Sequence, residues 1–259
     1  MILIDGNNQY IKLYSQMQHL EVNGRPVGGL FGFIRSVLYL IKKFDDNNLI
    51  VVWDGKNGKE HRRAVYSDYK KGRTYSQDGN LWTLKAELQE ILQCCMGVKQ
   101  AVADNYEADD VIAYFAKNTD DTVVIVSSDK DFWQLLSNKV CILSQNKIVD
   151  VAVLKEETGC NSPEEYLLCK VLAGDSSDNI KGVERVGLKT ALKIIRSGSA
   201  DKYKDIIDRN LVLMKLSGDI EGLRITDGYR DLDKFMRICV EKYQFKSLTE
   251  LVVEIFDRL

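Results

Sequence analysis

Proline and histidine are nearly missing from these 259 residues: Pro26 and Pro163, His19 and His61 are all there is. Six cysteines, Cys94, Cys95, Cys141, Cys160, Cys169 and Cys239, include no CxxC pair. Zinc-ligand spacing and a disulfide framework are therefore both absent, and a reduced chain is expected. No apolar run is long enough to span a bilayer, and MILIDGNNQY lacks a charged region followed by an apolar core. The expectation is a cytoplasmic chain with no membrane association. An excess of one charge is missing too. Thirty-six basic residues stand against 38 acidic ones, a formal charge of -2, so any polyanionic partner must be argued from how the charges are distributed. Internal repeats, low-complexity tracts and an obvious flexible linker are also lacking.

What is present is an alternation of short apolar runs with helix-period segments. MILI ends at Asp5, LIVVW (49–53) at Asp54, and TVVIVSS (122–128) at Asp129. Continuous β-branched runs predict strands buried on both faces, and GGLFGFIRSVLYLIKKF and LWTLKAELQEILQCC carry helical spacing between them. The pattern predicts an α/β domain over 1–154, with a mostly parallel central sheet flanked by helices, followed by a helical part over 155–259. Ser162, Pro163 and Glu165 predict a capping box opening a helix in that second part. Ligands of such sheets bind beyond the carboxyl ends of the strands, where all three runs deliver an aspartate. A single one is ordinarily a turn residue or helix cap; three favour a site.

The stretch NYEADDVIAYFAKN places Glu107, Asp109 and Asp110 at the mouth of an amphipathic helix. Asp104 and Glu107 have capping-box spacing, and acidic first-turn residues gain from the helix dipole, which would suffice for one of them. At about 100° per residue, Glu107 and Asp110 share a face while Asp109 points away. SSDKDF adds Asp129 and Asp131, GDSSDNIKG adds Asp175 and Asp178, and Asp5 and Asp54 complete nine carboxylates from separate segments. Like charges packed this closely repel unless cations intervene. Oxygen-only ligands suit magnesium or manganese, and nine carboxylates suit two such ions clamping a phosphodiester.

Between Lys56 and Arg73 the charge is locally basic. Lys56, Lys59, Arg62, Arg63, Lys70, Lys71 and Arg73 face only Glu60 and Asp68, and Tyr66, Tyr69, Tyr75 and Trp82 are interleaved or follow. A charge run alone is usually a solvated helix face; with aromatics it suits phosphate contact plus base stacking. A second phosphate-binding candidate is KGVERVGLKTALKII, where Gly182 and Gly187 bracket a turn and Lys189 and Thr190 open a helix. On its own that motif is more often an ordinary helix–helix turn; following the pair Asp175 and Asp178 it gains weight.

Taken in order, LIDGNN, VVWDG, YKKGR, YEADDVIA, SSDKDF and GDSSDNIKGVERVGLKTA resemble the flap endonuclease or 5′-nuclease family, over essentially the whole chain. The resemblance implies a magnesium-dependent 5′-3′ exonuclease and flap endonuclease using two metal ions, with manganese as a substitute. DNA with 5′ flaps or 5′ ends is the implied partner, with RNA–DNA hybrids as a further substrate, and the protein is expected to act as a monomer. All nine family carboxylate positions are filled. Lys70 resembles the family's active-site lysine on a helical arch (about 56–90), with Tyr69 and Arg73 beside it. Lys12 stands where the family often has arginine, keeping the charge without the planar fork. His61 replaces a common phenylalanine, and Lys181 the usual proline before Gly182. Residues about 172–196 resemble a helix–three-turn–helix that grips duplex DNA. By position, the carbonyls of Leu172, Ala173, Lys181, Val183 and Val186 are its candidates for holding potassium. Two other readings stay open at this point: an aspartate-nucleophile phosphohydrolase built on Asp5, weakened by Asn7 two residues on, and a non-catalytic DNA-junction binder.

Overall fold

The computed structural model describes residues 1–44, 48–72 and 79–256. Its elements begin with β1 (Ile2–Asp5), α1 (Gly6–Gln16), a hairpin of β2 (Glu21–Val22) and β3 (Arg25–Pro26), α2 (Gly28–Phe44) and β4 (Leu49–Val52). Then come α3 (Glu60–Val65), α4 (Gly79–Cys94), β5 (Lys99–Ala103), α5 (Ala108–Lys117), β6 (Val123–Val126), β7 (Val140–Ser144) and β8 (Lys147–Val149). The rest is α6 (Val151–Thr158), α7 (Pro163–Ala173), a hairpin of β9 (Gly174–Asp175) and β10 (Ile180–Lys181), α8 (Leu188–Arg196), α9 (Lys204–Met214), β11 (Leu223–Thr226), α10 (Leu232–Phe235) and α11 (Thr249–Phe256). The three apolar runs are strands β1, β4 and β6, and both helix-period segments are helices.

Two compact units interleave along the chain. The first joins Met1–Trp53, Tyr75–Val102 and Leu223–Leu259; the second joins Asp54–Thr74 and Ala103–Gly222. The expected boundary at 154 falls inside the second unit, and the segment after Gly222 belongs to the first.

In the first unit the strand order is β11-β5-β4-β1, with β1 and β5 both parallel to β4. Every residue of β1 and β4 is buried, which explains their unbroken apolar sequence. Helix α2 packs against α1, α4 and α11 and buries Leu30, Phe33, Ile34, Val37 and Leu38 on one face. Each such side chain contributes about 1.5–3 kcal/mol relative to exposure. Strand β11 lies in the stretch expected to be helical. Three of its four residues are exposed, so it lacks the continuous buried run of β1 and β4, and it pairs at the edge beside β5. Asp5 ends β1 with 8% of its surface exposed. It caps α1 by accepting the Asn8 N–H at 3.2 Å, and Lys12 lies half-buried one turn further on.

The second unit carries β6, β7 and β8, the first pair parallel and the second antiparallel. Helix α7 is its axis, packing against α8, α9 and the 3-10 turn Lys130–Leu135. The Ser162 hydroxyl accepts the Glu165 N–H at 3.2 Å and Pro163 occupies the first turn, as expected. Glu165 differs: it accepts from the Asn161 N–H at 2.6 Å and binds Arg196, so the reciprocal half of the capping box falls one residue earlier. Between α7 and α8 the chain folds tightly on itself. A Cβ on Gly182 would lie 2.3 Å from the Ala173 carbonyl oxygen, so only glycine permits that approach.

Candidate active site

Eight of the nine carboxylates lie in the second unit; Asp5 belongs to the first. Two loops build its centre. The Gly55 N–H donates to the Tyr106 carbonyl at 3.0 Å, and the Asn105 N–H to that of Lys56 at 2.7 Å. A Cβ on Gly55 would meet the Ala103 carbonyl oxygen at 1.8 Å, so the residue after Asp54 must be glycine for the loops to close. Closure brings Asp54 to the start of α5, where it accepts the Ala108 N–H at 2.9 Å.

Helix α5 starts at Ala108, three residues later than Asp104 capping would place it. Glu107 is the cap, with extended backbone, and it forms the capping box with Asp110. The Glu107 N–H donates to Asp110 Oδ2 at 3.2 Å. Because Glu107 stands outside the helix, the 100° rule does not relate its direction to that of Asp109. The charge of Asp109 acts on Arg62, Lys70 and Tyr69.

Part of the basic run folds inward onto these carboxylates. Arg62, on α3, is 2% exposed. Its Nη1 donates to Glu107 Oε2 at 2.8 Å and Asp110 Oδ2 at 2.9 Å, its Nη2 to Asp110 Oδ1 at 2.6 Å, and its Nε to the Leu213 carbonyl at 3.0 Å. The expected phosphate contact by Arg62 is therefore corrected: its donors are engaged inside the protein. Tyr69 is corrected in the same way as a stacking platform. Its ring packs with Val171, Ile180, Leu213 and Met214, and its hydroxyl donates to Glu107 Oε2 at 2.7 Å. Lys70 has φ +50. Its N–H donates to the Asp178 carbonyl at 2.9 Å, and its Nζ lies 2.7 Å from Glu107 Oε1 and 3.6 Å from Asp178 Oδ2. Lys56, Arg63 and Lys71 remain exposed. Arg73 and Tyr75 lie outside the described residues.

A second cluster centres on a residue that the sequence reading missed. Lys170, on α7, binds Asp131 and, at 3.0 Å, Asp175. A lone lysine in the apolar run YLLCKVLA, five residues before Asp175, was the available signal. Asp129 accepts the Asp131 N–H at 2.8 Å, and Ser177 donates to Asp175 through both N–H and hydroxyl. The Ser177 hydroxyl also lies 3.5 Å from Asp178, linking the two clusters. Gly187 caps α8 with no side-chain bond of its own, and Lys189 and Thr190 are exposed in the first turn. Of the carbonyls considered for potassium, that of Leu172 accepts the Val183 N–H and that of Val183 the Val186 N–H. The Lys181 carbonyl takes both Arg209 and Asn210.

The electrostatics follow from this pairing. Burial works against the charge of Glu107, yet Lys70 and Arg62 outweigh it and hold the carboxyl below its usual range. Desolvation and the Glu107 charge push half-buried Asp109 up despite the same cations. Burial also pushes Asp131 up to about 6, with Lys170 opposing. An unfolded Asp titrates near about 4, so between those values the folded protein keeps a proton that the unfolded chain has lost. Asp131 therefore contributes stability that is full below about pH 4, lost as pH rises toward 6, and flat above. In chelator, the unfolding free energy of wild type minus that of Asp131→Asn is expected to decline across this window. A difference that stays constant from pH 4 to 7 refutes the assignment.

Among the described residues, no three carboxylate, histidine or cysteine side chains gather closely enough to hold one ion. Arg62, Lys70 and Lys170 draw them together in pairs instead. The donor chemistry still suits a hard cation: eight carboxylates without histidine or cysteine, set against three buried or half-buried cations. The Lys170 ammonium stands between Asp131 and Asp175 as a cation between paired carboxylates, and on those grounds the residues fit divalent ions.

The model of the 5′-3′ exonuclease N-terminal, resolvase-like domain matches residues 1–159. The chain belongs to the 5′-3′ exonuclease family. It is 31% identical to the 5′-3′ exonuclease of Aquifex aeolicus across 99% of this chain and 96% of that one. It is also 31% identical, over 87% of its residues, to the thermostable DNA polymerase I of Thermus filiformis, of whose length the match spans 28%. Among solved structures, T5 5′-exonuclease with divalent metal ions (zinc) bound has the same fold. The TM-score is 0.71 at 20% identity, covering 99% of this chain and 98% of that one.

Proposed function

We propose that this protein is a divalent-metal-dependent nuclease that hydrolyses DNA phosphodiesters at 5′ ends and 5′ flaps. The observation that carries the reading is the paired carboxylate cluster, Glu107 and Asp178 joined through Lys70 and Asp131 and Asp175 through Lys170, in a chain of the 5′-3′ exonuclease family. Asp54, Glu107, Asp109, Asp110, Asp129, Asp131, Asp175 and Asp178 would hold the ions, joined in the family reading by Asp5. Two magnesium ions, with manganese as a substitute, would when bound activate the attacking water and stabilise the departing oxygen. Lys70 would place its ammonium at the scissile phosphate as charge develops. Lys56, Arg63, Lys71 and the α8 start, with Gly187, Lys189 and Thr190, would bind phosphates. The segment between α7 and α8 would act as the helix–three-turn–helix. Potassium held by the carbonyls of Leu172, Ala173, Val183 and Val186 belongs to the same proposal. That of Lys181 drops out, since Arg209 and Asn210 occupy its two lone pairs. RNA within hybrids is a further proposed substrate.

The rival is a junction binder without turnover. A labelled 5′-flap duplex mixed with excess protein and magnesium is expected to be cut near the junction. A tight complex whose DNA stays whole would favour the rival.

A further inference from the structure

We propose that Arg62 is a positioning residue for the metal-facing carboxylates, a fixed counter-cation inside the site and not a DNA contact. The proposal rests on the nuclease reading above and assigns the residue a part within it. Four donor contacts converge from this one side chain, to Glu107, to both oxygens of Asp110 and to the Leu213 carbonyl, at 2.6 to 3.0 Å. It is 2% exposed, with these donor contacts all made inside the protein. The planar fork matches a carboxylate edge-on, so Asp110 is held in one rotation and Glu107 is tied to it through the shared Nη1. The Leu213 carbonyl fixes the other end of the guanidinium, which makes Arg62 a strut between α9 and the start of α5.

A fixed positive charge beside two metal-facing carboxylates has two opposed consequences. It keeps the carboxylates in place without an ion, and it weakens any ion they take up. Removing it should therefore tighten cation binding while slowing the reaction. A role confined to folding moves both in the same unfavourable direction.

The test uses the full chain as wild type, Arg62→Gln and Arg62→Lys. Calorimetry measures manganese affinity without DNA, and single-turnover kinetics on a 5′-flap duplex measure saturated rate and dissociation constant. Arg62→Gln is expected to bind manganese about tenfold more tightly, because a unit charge has left the site. Its saturated rate should fall by roughly 10–100-fold, the usual consequence of losing a group that orients a ligand. Flap affinity should stay within about threefold, since the other basic residues still meet the phosphates. Arg62→Lys keeps the charge and loses the fork, so its manganese affinity should match wild type while its rate falls. If Arg62→Gln does not fold, Arg62→Lys carries the test alone. Unchanged or weaker manganese binding by Arg62→Gln overturns the proposal. So does a large loss of flap affinity at an intact saturated rate in either variant, which would make Arg62 a phosphate contact. A wild type that takes up no manganese overturns the nuclease reading itself, a different result from either.

Discussion

Lys70→Ala is expected to slow single-turnover cleavage of a 5′-flap duplex by about 10²–10³-fold while the dissociation constant rises only a fewfold. The ammonium lies 2.7 Å from Glu107 and 3.6 Å from Asp178, so it sits among the carboxylates and not on the exposed part of the basic run. Exposed Lys56, Arg63 and Lys71 keep most of the ground-state attraction for DNA. The variant should fold, because Glu107 retains Arg62 and Tyr69 as donors. The left-handed backbone at position 70 is no harder for alanine than for lysine, both having a Cβ. Lost affinity at an unchanged saturated rate would make Lys70 a phosphate anchor and place the chemistry elsewhere.

The second large effect is on stability. Glu107 is 3% exposed and receives Arg62, Tyr69 and Lys70, besides capping α5. Breaking a buried ion pair by deleting one partner typically costs about 3–5 kcal/mol, since the other charge stays buried. Here Arg62 keeps Asp110 and Lys70 keeps Asp178, so Glu107→Ala is expected near the lower end, about 3 kcal/mol, in denaturant unfolding with chelator present. The exposed pair Asp68–Lys71 provides the contrast, and Asp68→Ala should leave the transition where it was. Equal midpoints for the two variants would mean that the buried cluster contributes nothing to folding.

The strands, the two long helices and the segments carrying the carboxylates were legible because burial on both faces, helical period and strand-end aspartates all leave marks in a sequence. What a sequence does not mark is direction. Arg62 and Arg63 are adjacent and identical in type, yet one is locked under α5 and the other faces water. Tyr69 reads as a stacking ring until the core around Val171 and Leu213 claims it. Asp104 and Glu107 have the same capping-box spacing as Glu107 and Asp110, so spacing alone does not choose the start of α5; the structure uses the second pair. One lysine in an apolar helix, Lys170, reads as an exposed position until Asp131 and Asp175 are brought to it. Strand β11, LRIT, alternates over only four residues, too short a signal to stand out.

The most direct measurement is cleavage of a 5′-flap duplex by the wild-type protein as a function of divalent ion. Oxygen ligands in this number predict cleavage in magnesium, none in excess chelator, and DNA binding without cleavage in calcium, which tolerates looser coordination than magnesium. Cleavage that persists at full rate in chelator would contradict the carboxylate cluster as the seat of the reaction.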